Sequence, residues 1–438
     1  MKRLIMVAWM ITATLLGAIN LDESIELALG NNLELKSQEE SLKAAKTDVI
    51  SAYLSLGPSA TLGMNYREND ASLDKEDYSN TLSLQVSQPI FNGGKILLGS
   101  MINRDLYEIE EQSLIAKKLE VIAETENKYF LVLEADEFMN ISQQNFESAE
   151  VNFQKGEVRF EAGTISQVEL LQLKSDRASK DVSYIQSQNR LKIVKQDLQN
   201  YLQLEILPAV QEVDFTQYEQ MIDSLKLVKD MNSFIPELFQ IASQQNPTLQ
   251  ITDISKSTSK KSLWMAAGNF MPSVNFSYGK SWGDSDALMG MKDYESSENI
   301  GINISVPIFP IADNGLNLAK ANYNLRKATY TAENTNDGIQ LALRNALYTL
   351  VSNARLIDSA KLAYQYADES YQQMEERYNN GLITTNDLLA SRVMMSSAQS
   401  AYASAKYDFL RSQTTILQQL GTDDKKMIKK IFIRGDKK

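Results

Sequence analysis

The 438-residue chain contains no cysteine and no histidine. Thiol nucleophiles, disulfides, Cys/His zinc sites, Ser-His-Asp triads and imidazole bases are excluded, which leaves carboxylates, lysines and hydroxyls. The paired carboxylates Glu39-Glu40, Glu110-Glu111 and Glu375-Glu376 are adjacent in sequence, so on a helix they diverge instead of converging on a substrate. They read as solvated faces. Gly93-Gly94-Lys95 has the look of a phosphate loop, but Ile96 stands where Ser or Thr is required, and no earlier glycine completes the spacing. No residue set points to a catalytic centre, a metal site or a cofactor, and the chain is expected not to be an enzyme. Thr384-Thr385-Asn386-Asp387 offers side chains that cap a helix and set an anion near its positive end.

What positions these groups begins with an export signal. Lys2 and Arg3 precede an apolar run from Leu4 to Leu16 and the small residues Gly17 and Ala18, the order of a secretory signal peptide, placed at 1–18. Its ~13 apolar residues are short for a ~30 Å membrane core, and no later window approaches ~20. Any entry into a membrane must therefore be as strands. Without Lys2 and Arg3 the chain has 42 basic against 56 acidic residues, a net charge of −14, which disfavours nucleic acid.

The chain repeats itself. Asn32 and Pro58-Ser59 recur 214 positions later as Asn246 and Pro272-Ser273, and Pro89-Ile90-Phe91 recurs 218 positions later as Pro307-Ile308-Phe309. Arg159-Phe160-x-x-Gly163 returns at that second offset as Arg377-Tyr378-x-x-Gly381. Repeat 1 spans 19–204 and repeat 2 spans 234–421, joined by a linker at 205–233 and followed by a tail at 422–438 that reads as a ragged terminus. Each repeat opens with a short helix, about 22–54 and 235–267. Strands follow at about 57–68 and 79–90, then at 271–282 and 298–309, alternating apolar and small polar residues. That alternation suits either a transmembrane strand or a half-buried strand of a soluble sheet. Four strands cannot close a barrel of useful bore, since even small barrels need about eight. A membrane reading thus requires several copies, three of which give twelve strands.

No proline interrupts 92–162 or 311–380, so each is expected as one long helix on the order of 100 Å. Leu343, Leu350, Ile357, Tyr364, Tyr371 and Tyr378 fall seven apart, and 218 positions earlier stand Thr125, Val132, Met139, Phe146, Phe153 and Phe160. A sustained seven-residue seam means supercoiled helices packed side by side. Gly163 and Gly381 end these helices in tight turns, and return helices run over 165–204 and 384–420.

With these residues assembled, the chain resembles the TolC family of outer-membrane efflux and secretion ducts over nearly its whole length after the signal. The most specific elements are Gln88-Pro89-Ile90-Phe91-Asn92-Gly93-Gly94, similar to that family's strand-to-helix junction, and the Arg-aromatic-x-x-Gly hairpins. The resemblance implies a mainly α fold with a small β part. It implies a homotrimer whose twelve-stranded outer-membrane β-barrel continues into a twelve-helix periplasmic α-barrel, with the linker and tail forming an equatorial belt. It implies a periplasmic adaptor and an inner-membrane pump as partners, outer-membrane lipid around the barrel, and no cofactor. Arg159, Gly163, Arg377 and Gly381 would mark the docking surface, and Pro89, Phe91, Pro307 and Phe309 the junctions. Asp387 would line the constriction, although Ala390 stands where a second ring residue is expected. Tyr378 would tie to Glu169 to hold the tip closed, with Ile383 replacing a basic partner. Cargo is left open among drugs, metal ions, polypeptides and bile-salt-like amphiphiles. An exported long-helix structural protein without a pore remains the rival reading, and the long helices argue against a general diffusion porin.

Overall fold

The computed structural model describes residues 17–69, 77–284, 295–308 and 311–434, so the signal-peptide reading and Phe309 lie almost wholly or wholly outside the described residues. The chain is mainly helical with one small antiparallel sheet. In order it forms α1 (Leu21–Asn31), α2 (Leu33–Leu54), β1 (Ser59–Asn69), β2 (Asp77–Asn92), α3 (Lys95–Glu161), α4 (Gln167–Tyr201) and α5 (Glu219–Leu227). Then come α6 (Ile235–Gln245), α7 (Pro247–Ala267), β3 (Ser273–Asp284), β4 (Glu295–Ser305), α8 (Ile311–Asn379), α9 (Thr385–Leu420) and α10 (Lys425–Arg434). There are two compact units, one from residues up to Lys36, Ile115–Asn246 and Gly338 onward, the other from Ser37–Leu114 and Pro247–Asp337.

The second unit holds the sheet, in the order β1-β2-β3-β4. Its register sets Leu62 opposite Leu84, Val86 opposite Tyr278, and Phe276 opposite Ile302. Because side chains alternate across a strand, one face collects the apolar set. That face is bare along both edge strands, where Leu62, Met64, Ile300, Ile302 and Ile304 are each 64 to 73 % exposed, while Leu84, Val86, Phe276 and Tyr278 on the central strands are half-buried. On the polar positions Asn275 Nδ2 donates to Ser87 Oγ at 2.9 Å. Among the described residues β1 and β4 each pair along one edge only. β4 ends at Ser305, so the strand expected to reach 309 stops short of Pro307, which sits in coil. No helix among the described residues is long and apolar enough to cross a membrane.

In the first unit the seven-residue seam is buried over most of its length. Thr125, Val132, Leu343, Leu350, Ile357, Tyr371 and Tyr378 are all buried, while Phe160 at the end of the α3 row is exposed. Each opening helix, expected as one, is two. Asn32 breaks the first, its Oδ1 accepting from Leu35 N at 2.9 Å and so capping α2. Asn246 breaks the second, held extended by Pro247, which lacks an N–H and opens α7.

The linker is also ordered. Ile19 pairs with Val210 in an isolated parallel bridge, and Tyr129 Oη donates to Gln211 O at 2.6 Å. The tail corrects the expectation of a ragged terminus. Residues 425–434 form α10, whose Ile428, Ile431 and Phe432 are buried, with the Phe432 ring centroid 5.2 Å from that of Phe234. Apolar residues at that spacing share one helix face, and burying them outweighs the fraying of a chain end. Beneath it Lys425 Nζ forms a 2.6 Å ion pair with Glu126 Oε1, without the alignment of a hydrogen bond.

Candidate functional site

Both long helices end on a glycine in the left-handed region, Gly163 at φ 69° and Gly381 at φ 74°. There glycine avoids the Cβ clash that other residues meet, and its N–H returns to the helix. Gly163 N donates to Phe160 O at 2.9 Å and Gly381 N to Tyr378 O at 3.0 Å. The next residues start the return helices with matching capping boxes. In the first, Ser166 N and Oγ donate to the Glu169 carboxylate at 2.8 and 2.9 Å, and Glu169 N donates back to Ser166 Oγ at 3.3 Å. In the second, Thr384 N and Oγ1 donate to Asp387 at 3.0 and 2.7 Å, and Asp387 N returns a bond to Thr384 Oγ1 at 3.2 Å. Asp387 thus caps its own helix, and its carboxylate is exposed.

These bonds hold both carboxyls below their ordinary values. The Thr384 hydroxyl, then its N–H, lowers Asp387 from 3.8; the Ser166 N–H, then its hydroxyl, lowers Glu169 from 4.5. A depressed folded pKa contributes stability that is complete above the unfolded value and lost as pH falls through the folded one. Acidification below 3.8 and 4.5 should therefore loosen both helix starts before the rest of the hairpins. Amide exchange at Thr384 and Ser166, corrected for its intrinsic pH dependence, should rise there, whereas unchanged protection would mean the caps add nothing.

Tyr378 and Glu169 do not form the expected tie. The Tyr378 hydroxyl shares a hydrogen bond with Thr385 Oγ1 at 3.3 Å, within its own hairpin, and Glu169 is engaged by Ser166. Tyr378, Tyr371 and Leu388 form a buried cluster against which Ile383 packs. Ile383, where a basic residue was expected, thus seals an apolar knot.

Two arginines tie the hairpins together near their ends. Arg159 Nη1 donates to Tyr378 O at 3.1 Å and Nη2 to Asn379 O at 2.9 Å, satisfying carbonyls at the end of α8. Its guanidinium also lies 4.7 Å from the Tyr378 ring centroid, within cation–π range. Arg377, its counterpart, is exposed. The second arginine, Arg392, is 1 % exposed. It donates to Tyr371 Oη at 3.1 Å and reaches Asp176 Oδ2 of α4 at 3.4 Å. Sequence reasoning passed over Arg392. The signal was available: with Leu388 and Met395 it falls on the i, i+4, i+7 face of α9, where a charge needs a buried partner.

The strand-to-helix junction belongs to the other unit. The β2–β3 register shifts between Pro89 and Phe91, a bulge at a residue that has no N–H to give the ladder. Phe91 is exposed. Asn92 Oδ1 then accepts from Ile96 N at 3.2 Å to open α3. Gly93 and Gly94 take φ values of 67° and 75°, and Gly93 lies so close to Gly268 that a Cβ on it would stand 2.2 Å from Gly268 O. Lys95, the lysine of the loop-like triplet, donates to Asn269 Oδ1 at 3.2 Å.

Comparison with known proteins adds the family. "Outer membrane protein TolC" of Salmonella enteritidis is 22 % identical over 424 residues, covering 94 % of this chain and 83 % of its own. The fold is like that of the Campylobacter jejuni CmeC outer membrane channel, with a TM-score of 0.80 at 20 % identity over 94 % of this chain and 89 % of that one. It is also like that of the Neisseria gonorrhoeae MtrE outer membrane channel in its open state, with a TM-score of 0.78 at 18 % identity over 92 % and 89 %. The family described as "Outer membrane efflux protein" matches residues 24–202 and 238–422, which is most of the chain. The two hairpins and the bare-faced sheet thus have their place: the chain belongs to the outer membrane efflux protein family, that of TolC.

Proposed function

We propose that three copies of the chain close into a passive exit duct, with twelve strands as a barrel in the outer membrane and twelve helices as a periplasmic tunnel. Family membership supplies the bacterial outer-membrane location and the role in transport. The observation that carries the trimer is the four-stranded sheet with a bare apolar face and two open edges. Lipid tolerates no unpaired strand edge, and four strands are too few to close. We read the duct as the outer-membrane part of a tripartite pump or a type I secretion system, its hairpin ends meeting the adaptor and inner-membrane pump. No bond is made or broken, and the partners supply the energy.

Asp387 serves here as both cap and constriction charge. Two substitutions separate the roles. Thr384→Ala removes the cap, costing about 1 kcal/mol of helix stability, and keeps the carboxylate. Asp387→Ala removes the carboxylate itself. In planar bilayers Asp387→Ala should raise leak conductance or change cation selectivity, with Thr384→Ala close to the parent. Equal currents from all three proteins would leave Asp387 as a cap only.

A further inference from the structure

We infer that Arg377 joins neighbouring copies, its guanidinium lying over the Phe160 ring of a second copy of this chain and donating to the carbonyls that end that copy's α3. The inference rests on the trimeric reading above. Its template is inside the chain. Arg159 of the first hairpin covers the Tyr378 ring and binds the carbonyls of Tyr378 and Asn379 on the second. Moving each partner by the 218-position offset turns that contact into Arg377 against Phe160 and Glu161.

The two halves of this second contact are present but not joined within one copy. Among the described residues the Arg377 side chain is exposed and makes no ion pair, hydrogen bond or ring contact, while its carbonyl accepts from Leu382 N at 2.9 Å in the turn. Phe160 is 40 % exposed, whereas Tyr378 under its arginine is 4 % exposed. The acceptor geometry is nevertheless the same, because Gly163 and Gly381 close their helices with matching φ and matching bonds. A donor left over on one hairpin and a ring left over on the other make a heterologous interface, which closes when the rotation between copies returns to the start. Three copies would then carry six like contacts, three within chains and three between. The contacts between copies differ in two residues: Phe160 takes the place of Tyr378 and Glu161 that of Asn379, and the carbonyl acceptors stay the same in kind because the template bonds go to main-chain oxygens.

The chain has no native cysteine, so thiol cross-linking reports only on engineered pairs. A Phe160→Cys/Arg377→Cys double variant treated with a short bis-maleimide should give covalent dimers and trimers on denaturing gels. The Arg159→Cys/Tyr378→Cys control should cross-link within a copy without a gain in mass. Both Phe160 and Arg377 are exposed, so their replacement leaves the fold of one copy intact. Native gels run in parallel separate the two readings. Trimers with no covalent dimer overturn the Arg377 contact and leave the duct standing, whereas absence of trimers in the parent protein overturns both. Arg377→Ala should also raise leak conductance by roughly tenfold, the consequence of losing a charge-assisted pair at a closing seam, and Arg377→Lys should not restore it because a lysine lacks the fork. Parent-level leak in Arg377→Ala also counts against the contact.

Discussion

Gly93→Ala is expected to remove most of the heat-resistant, membrane-inserted protein, although it adds one methyl group far in sequence from either hairpin. Two independent costs meet there. The residue sits at φ 67°, where a Cβ crowds the following carbonyl at a cost of about 1–2 kcal/mol. The added Cβ would also stand 2.2 Å from Gly268 O and 2.9 Å from Gly268 C, both main-chain atoms that no rotamer change can move. Overpacking of that kind costs about 1–3 kcal/mol where neighbours can shift, and here they are fixed by a strand end and a helix start. Neighbouring glycines grade the effect. Gly268→Ala meets Gly93 O at 2.4 Å without a positive φ, and Gly94→Ala has a positive φ of 75° with nothing within 4 Å. The expected order of loss is Gly93→Ala, then Gly268→Ala, then Gly94→Ala, read as oligomer surviving heat in detergent. Parent-like survival of Gly93→Ala would mean that the two backbones do not approach as described.

Ending the chain at Asp424 is the second large effect expected. It strips α10 from its seat on α5, uncovers the bed of Ile428, Ile431 and Phe432, and leaves Glu126 without Lys425. Glu126 is 2 % exposed and its other oxygen accepts from Thr414 Oγ1. A buried charge robbed of its partner typically costs ~3–5 kcal/mol, and the 37 % exposure of the Lys425 side chain places this pair at the lower end. Thermal midpoints should therefore fall in the order truncation, then Lys425→Met. Glu126→Gln added to Lys425→Met should recover much of the loss, because it is the unpaired charge that is expensive. Coincident midpoints for the truncated and full chains would show α10 to be a passenger.

The mainly helical fold with a small sheet was legible because its signals are local. Period-2 alternation in the strands and the seven-residue seam each lie within a single segment. Features that depend on what a segment meets were not legible. The breaks at Asn32 and Asn246 lie inside stretches of continuous helical pattern, and each depends on a side chain that caps or on a proline's missing donor. The tail looked ragged because its lysines dominate its composition, yet Ile428, Ile431 and Phe432 needed only a receiving surface. At the hairpin ends the residue types were legible, but their partners were not. Arg159 could not be seen to choose the carbonyls of a helix more than 200 positions away, and Arg392 gave only the indirect sign of a charge on an apolar face. Tyr378 and Glu169 were assigned to each other by resemblance, whereas nearer partners, Thr385 and Ser166, satisfy them at lower entropic cost.

The sheet also dictates an order of events. β1 pairs with β2 and β3 with β4 across short connections, but the central pairing of β2 with β3 joins residues such as Ser87 and Asn275, 188 positions apart. Closing so long a loop is slow relative to hairpin or helix formation, so the central ladder forms last. Until then the chain carries two separate strand pairs, each marginal on its own in water. Completing the sheet, and with it the continuous apolar face, is thus tied to bringing the two repeats together and not to the folding of either repeat alone.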